Sequence, residues 1–233
     1  MYKRVILKLS GEALSGETSQ AFDNITINNI VKQVKELMEK GVQVSIVVGG
    51  GNFWRGRDGN SKMDRCKSDQ IGMMATIMNA VYLSDTFSQY GIKASVMTPF
   101  IVGSITEEFS KEKALEYLEK GKVLIFACGI GHPFFSTDTI TALRASELSV
   151  DAILFAKSID GVYDKDPAIH NDAKKFEIIA CKDVVEKNLK VIDIAAANLC
   201  YEQKIPIIIF GLLEKDSIKK ACAGEKIGTV VTV

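Results

Sequence analysis

The sequence predicts an α/β fold, a three-layer α/β/α sandwich around a mostly parallel central sheet. Short apolar runs at 5–9, 42–48, 94–97, 123–128, 152–156, 206–210 and 229–233 read as strands. Segments with helical spacing of apolar residues separate most of them. The runs are apolar nearly throughout, as expected of strands covered on both faces.

Size and composition bound the function classes. The chain has 233 residues, of which 47% are apolar and 25% charged, as in ordinary globular proteins. Such a chain can bury a sizeable core. Lysine plus arginine equals aspartate plus glutamate at 29 each, so charge argues for neither a nucleic-acid nor a membrane partner. No apolar run reaches the roughly 18 residues of a membrane-spanning helix. Lys8 interrupts the first apolar run and no cleavage site follows, so we expect no leader and a cytoplasmic location. Cys66, Cys128, Cys181, Cys200 and Cys222 are scattered and odd in number, with no Cys-x-x-Cys pair. They read as reduced thiols, mostly filling core.

In chain order, the first strand carries Lys8, an unusual residue for an apolar run. It is either a lysine reaching solvent from an edge strand or a functional group. Gly11 and Gly16 have P-loop spacing, but Glu17-Thr18 stand where that motif needs lysine, so a P-loop is rejected. Ile27, Ile30, Val31, Val34, Leu37 and Met38 set a helix over 26–40, with Thr26 or Asn24 as cap and Gly41 as stop.

The next strand ends in Gly49-Gly50-Gly51, with Arg55 beyond. Glycines there suit a close backbone approach, and with Arg55 they form a candidate anion cradle. After a polar loop, a second helix starts near Ser68-Asp69 and runs to Gly91, with Ile71, Met74, Ala75, Met78, Val81 and Tyr82 on one face. We expect those methionines in the core. Asp69 alone is no more than a carboxylate at a helix start.

Ser110 caps a helix that stops at Gly121. The strand after it runs into Gly129-Ile130-Gly131-His132-Pro133-Phe134-Phe135-Ser136-Thr137-Asp138. Phe134 replaces the third glycine of a dinucleotide fingerprint, which weakens that reading. Ser136 and Thr137 can cap the helix that opens at Asp138, or can offer hydroxyls to an anion. His132 has no metal-ligand partners spaced around it. Asp-Gly and Asp-Pro in 160–167 mark a hairpin or loop, and Asp193 precedes an Ala- and Leu-rich helix ending at Gln203.

Taken together, Lys8-Leu9-Ser10-Gly11-Glu12, the run from Gly49 to Gly56, Pro133-Phe134-Phe135-Ser136-Thr137-Asp138, and Asp160-Gly161-Val162-Tyr163 with Asp166-Pro167 resemble the bacterial UMP kinases of the amino acid kinase family. The resemblance spans essentially the whole chain. It implies a single domain over 1–233, with the acceptor on the N-terminal side and ATP on the C-terminal side. It also implies a homohexamer that transfers the γ-phosphoryl group of Mg-ATP to UMP.

By the same resemblance, Lys8, Leu9, Ser10, Gly11, Gly51 and Arg55 face the ATP phosphates, and Ser158, Tyr163 and Asp166 lie around adenosine. Gly50, Asp69 and the stretch Ile130, Gly131, His132, Pro133, Phe134, Phe135, Ser136 and Thr137 hold UMP, with Asp69 on the ribose hydroxyls. Asp138 and Asp193 orient Lys8 and the phosphates, while Mg²⁺ rides on ATP with no direct protein ligand.

The residue types suit this chemistry. A nucleoside monophosphate is already largely dianionic at pH 7, so the attacking oxygen needs no general base. Transfer needs in-line positioning and charge neutralisation, which Lys8, Arg55 and Mg²⁺ can supply. Family members often carry threonine at the position of Ile130 and asparagine at that of His132. UTP inhibition and GTP activation are also implied, the latter tied to a Gly-Phe-Gly pattern that 16–23 does not show. The alternatives are a same-fold kinase acting on a carboxylate or carbamate, and a nucleotide-binding regulator without turnover.

Overall fold

The computed structural model describes residues 1–16, 20–55, 62–187, 189 and 191–233. The Glu17-Thr18 pair and residues 56–61, which include the start of the polar stretch 58–67, therefore lie outside the described residues.

The chain alternates strand and helix as expected. In order it forms β1 (Arg4–Leu9), α1 (Gly11–Ser15), α2 (Asn24–Glu39), β2 (Gln43–Val48), α3 (Arg65–Gln89) and β3 (Ala94–Thr98). The short β4 (Glu107–Glu108), α4 (Lys111–Glu119), β5 (Val123–Phe126), α5 (Thr137–Glu147) and β6 (Ala152–Lys157) follow. The rest comprises β7 (Val162–Tyr163), β8 (Lys175–Phe176), β9 (Ile178–Ala180), α6 (Cys181–Glu186), α7 (Ile194–Gln203), β10 (Ile207–Gly211), α8 (Ser217–Ala223) and β11 (Thr229–Thr232).

Among the described residues, nine strands form one sheet in the order β4-β3-β5-β2-β1-β6-β10-β11-β9. Only the β10–β11 pairing is antiparallel; every other neighbouring pair is parallel. β7 and β8 pair as a separate antiparallel hairpin; Asp160-Gly161 precede β7, and Asp166-Pro167 lie in the connection to β8. β1 is central and pairs Lys8 with Val47 of β2 and Phe155 of β6, so Lys8 is not on an edge strand.

Strand alternation sends successive side chains to opposite faces. Val5, Leu7 and Leu9 join the core under α2, α3 and α8, whereas Ile6 joins the core under α4, α5, α6 and α7. Each fully buried aliphatic side chain stabilises the fold by about 1.5–3 kcal/mol. Cys128, Cys181, Cys200 and Cys222 are buried, and all five thiols are free.

Three local expectations change. The cap of α2 is Asp23, whose carboxylate accepts from the Ile25 and Thr26 amides at 3.2 Å each. It displaces Asn24 and Thr26 because its carboxylate reaches back over the first turn. α3 begins at Arg65 behind the cap Asp64, ahead of Ser68.

The third change concerns the apolar face assigned to α3. Ile71, Met74, Met78 and Val81 are exposed at 39%, 51%, 47% and 42%, while Ala75, Thr76, Ile77, Asn79, Ala80, Leu83 and Phe87 are buried. Of the residues assigned to that face, Ala75 is buried and Tyr82 packs on the core, but Ile71, Met74, Met78 and Val81 point outward, because α3 is apolar on both sides and Ile77, Ala80, Leu83 and Phe87 fill the inner one.

Hydrogen bonds from Thr26 hold the Asp23 carboxyl below its usual range. A lowered folded-state pKa stabilises above the unfolded pKa, and the gain is lost as pH falls through the folded value. Asp23→Ala is therefore expected to lower the urea midpoint at neutral pH. The deficit should shrink in acid, as read by urea titrations at several pH values.

Candidate active site

The candidate site lies where the central parallel strands end, the usual position in open α/β sheets. β1 leads through α2 to β2 on one side, and β6 leads through α6 and α7 to β10 on the other. The two strands stay paired to Leu9 and Ala156 while the connections leaving them run to opposite sides, and each strand carries a lysine at or next to its end.

Lys8 lies two residues beyond Ile6, on the α5 face. Its Nζ sits 2.9 Å from Asp138 Oδ1, with the two side chains only 10% and 12% exposed. Asp138 occupies the first turn of α5, where the helix dipole favours a carboxylate. Ser136 Oγ caps that helix by accepting from the Asp138 and Thr139 amides at 3.0 and 3.3 Å.

The same Ser136 hydroxyl donates to Asp193 Oδ2, and the Thr139 hydroxyl donates to that oxygen at 2.9 Å. Asp193 in turn caps α7 by accepting from the Ala196 amide at 2.7 Å. Asp193 thus ties the starts of α5 and α7 together, whereas the ion pair of Lys8 is with Asp138. The Ser136 hydroxyl is committed to these contacts and is not a free anion donor.

Lys157, the last residue of β6, escaped the sequence reading. It follows Phe155 by two residues, on the face that Lys8 shares, and the two ammonium groups lie 5.5 and 5.8 Å from the Phe155 ring centre. Burial pushes its pKa down and Lys8 acts in the same direction, with Asp138 and Asp193 opposing. Its Nζ donates to the Val191 carbonyl. The clue was present in the sequence, since β6 carries a lysine at the end of its apolar run and β1 carries Lys8 one residue before its own end.

The glycine run is packed tightly against protein. A Cβ on Gly50 would meet the Gly72 carbonyl oxygen at 2.8 Å and Ala75 Cβ at 2.9 Å in α3. One on Gly51 would strike the Glu12 carboxylate, and one on Gly11 would strike the Gly51 and Asn52 backbone. These glycines let α1 and α3 close onto the loop. Arg55 pairs with Glu12 at 2.7 Å. Ser10 caps α1 by accepting from the Ala13 amide at 3.1 Å.

On the other side of the cleft, Asp69 accepts from Arg65 Nε at 3.0 Å and from the Phe134 amide at 2.8 Å. A Cβ on Gly131 would press on Pro99 at 2.9 Å. Ile130 packs against the core beneath α5, while His132, Phe134 and Phe135 are exposed and Pro133 and Thr137 half-buried.

A cavity of about 380 Å³ brings Ser10, Glu12, Arg55, Lys157 and Ser158 together. Lys157 also lines a cavity of about 510 Å³ with Tyr163, Asp166 and Pro167. Tyr163 donates to Asp160 there at 2.7 Å, and Asp166 accepts from the Ala168 amide at 2.9 Å. A third cavity, of about 610 Å³, borders Phe134, Phe135, Ser136, Asp138 and Asp193.

Residues 3–211 match the model of the amino acid kinase family. The chain belongs to that family. A crystal structure of UMP kinase from Bacillus anthracis matches it with a TM-score of 0.95 at 35% identity, covering 99% of this chain and 96% of that one. UMP kinase from Ureaplasma parvum matches with a TM-score of 0.93 at 34% identity, covering all of both chains. A uridylate kinase from Archaeoglobus fulgidus has a TM-score of 0.75 at 26% identity, covering 98% and 99%. The family's α/β sheet architecture is the one described above.

The packing at Gly50 yields a direct test. Gly50→Ala is expected to cost about 1–3 kcal/mol, because α3 must give way. Chemical denaturation measures this, and an unchanged midpoint would contradict the close approach.

Proposed function

We propose that this chain is a UMP kinase, transferring the γ-phosphoryl group of ATP to UMP to give UDP. The observation that carries the reading is the full-length match to UMP kinase structures at 34–35% identity. The buried Lys8–Asp138 pair and Lys157 support it, standing at the carboxyl ends of adjacent strands.

In this reading Lys8, Lys157 and Arg55 face the phosphates. Asp138 holds the Lys8 ammonium in place through their buried ion pair at 2.9 Å. The UMP dianion attacks without a base, and the protein supplies alignment and cationic groups that meet the moving phosphoryl group. Glu12 holds Arg55 until a phosphate competes for it.

Magnesium supplies further neutralisation when bound. By the resemblance, this cation rides on the phosphate oxygens of ATP. Ser10, Gly11, Gly51 and Ser158 would serve the donor phosphates, with Tyr163 and Asp166 beside the adenosine. Gly50, Asp69 and residues 130–137 would serve UMP.

We further infer a cytoplasmic homo-oligomer, up to the implied hexamer. No helix among the described residues is long and apolar enough to cross a membrane. Ile71, Met74, Met78 and Val81 make a continuous apolar stripe on α3 that another subunit can cover. Regulation by GTP and UTP belongs to this reading through the resemblance alone.

An ADP-release assay with Mg-ATP against UMP, CMP, dUMP, TMP, glutamate and aspartate tests substrate class. UMP is expected to give the highest turnover, and a response to an amino acid alone would refute the reading. Lys8→Ala should abolish UDP formation while the circular dichroism spectrum stays native; near-normal turnover would sink the mechanism. Met78→Asp should reduce the mass of the assembly in light scattering, and an unchanged mass would remove α3 from the interface.

A further inference from the structure

The inference rests on the kinase reading and concerns what fixes the two walls of its cleft. We propose that Thr76 and Asn79, on the buried face of α3, are positioning residues. They clamp the loops after β2 and β5 at a set separation, so that acceptor and donor align.

Both side chains are polar and buried, with Asn79 0% and Thr76 4% exposed. Polar groups in such a place are costly unless hydrogen-bonded. Each spends its bonds on a loop. Asn79 Nδ2 donates to the Gly49 carbonyl at 2.6 Å and to Asn52 Oδ1 at 2.8 Å. Asn52 Nδ2 returns a bond to Asn79 Oδ1 at 2.9 Å, so both ends of Gly49-Gly50-Gly51-Asn52 are gripped by one side chain.

Thr76 Oγ1 accepts from the Cys128 amide at 2.7 Å while donating to the Met73 carbonyl at 2.6 Å. The hydroxyl is therefore oriented as an acceptor for the loop.

The backbone of the second loop makes this grip necessary. Cys128, Gly129, Gly131 and Phe134 have φ of 67°, 55°, 88° and 72°. Two of them carry a side chain, and left-handed backbone is uphill for such residues. At each of those two the amide is held from α3, Cys128 by Thr76 and Phe134 by Asp69. The loop's shape is thus imposed by the helix. The Lys8–Asp138 pair is anchored separately, on β1 and α5. Loosening the clamp should therefore disturb alignment without removing the cleft's positive charge.

Misplacement by about 1 Å can cost about 100-fold in rate. Thr76→Val, which keeps the shape and removes the hydroxyl, is expected to lower kcat by about tenfold or more, with KM for ATP and UMP within about threefold. Amide exchange at Cys128 should accelerate, and Thr76→Ser should restore both readouts.

A Thr76→Val enzyme with wild-type kcat, or one that changes KM alone, would overturn the proposal. So would a Thr76→Ser enzyme that falls equally far, because packing and not the hydroxyl would then matter. Wild-type protein that makes no UDP would defeat the kinase reading by itself. Cys128 exchange would still decide the clamp, with unchanged protection in Thr76→Val counting against it.

Discussion

The Lys8–Asp138 ion pair is the constraint around which the centre of this molecule is arranged. A lysine inside the central strand of a sheet covered on both faces gives up most of its hydration, and only a well-held counter-charge offsets that loss. Asp138 is well held. It sits at the positive end of α5, behind a serine cap that is itself fixed by Asp193 at the start of α7. One strand and two helices thus meet at a pair of charges. Removing either partner would leave a buried charge uncompensated, so placement of the site and stability of the layer are the same problem.

α3 shows a different arrangement of polarity. Its inner face buries Thr76 and Asn79 among Ile77, Ala80, Leu83 and Phe87, and its outer face carries Ile71, Met74, Met78 and Val81. An apolar outer stripe together with polar groups buried on the inner side is costly for an isolated domain. It becomes intelligible if the inner polar groups shape loops and the outer apolar stripe meets another chain. A helix that shapes the cleft on one side and meets a neighbour on the other would couple assembly to alignment through a single rigid element.

The sequence made the architecture legible because strands buried on both faces leave long apolar runs, and the capping residues Ser110, Ser136 and Asp193 mark helix starts locally. It located Lys8 because one charge in an apolar run stands out. It missed Lys157 because a lysine at a strand's end looks like the first residue of a loop. The inward face of α3 was misread because periodicity identifies a stripe without saying what covers it. The partners of Asn79 lie 27 and 30 residues away, so no local pattern could reveal them. The glycine run was rightly read as a close approach. What approaches is α3 and Glu12, which only the folded chain could show.

Charge balance within the cleft carries one more consequence. Lys8, Lys157 and Arg55 are matched by Asp138, Asp193 and Glu12, so the site does not present an unopposed positive field. A bare polyphosphate would meet carboxylates as well as ammonium groups, whereas one that brings its own divalent cation arrives partly neutralised. The pairs also differ in how readily they can be exchanged. Arg55 and Glu12 are 39% and 45% exposed, so their attraction is screened and easily surrendered to a phosphate. Lys8 and Asp138 are buried and cannot separate cheaply. The cleft therefore combines one fixed cation, one exchangeable cation and one whose proton is weakened by burial, which suits a phosphoryl group passing between two anions.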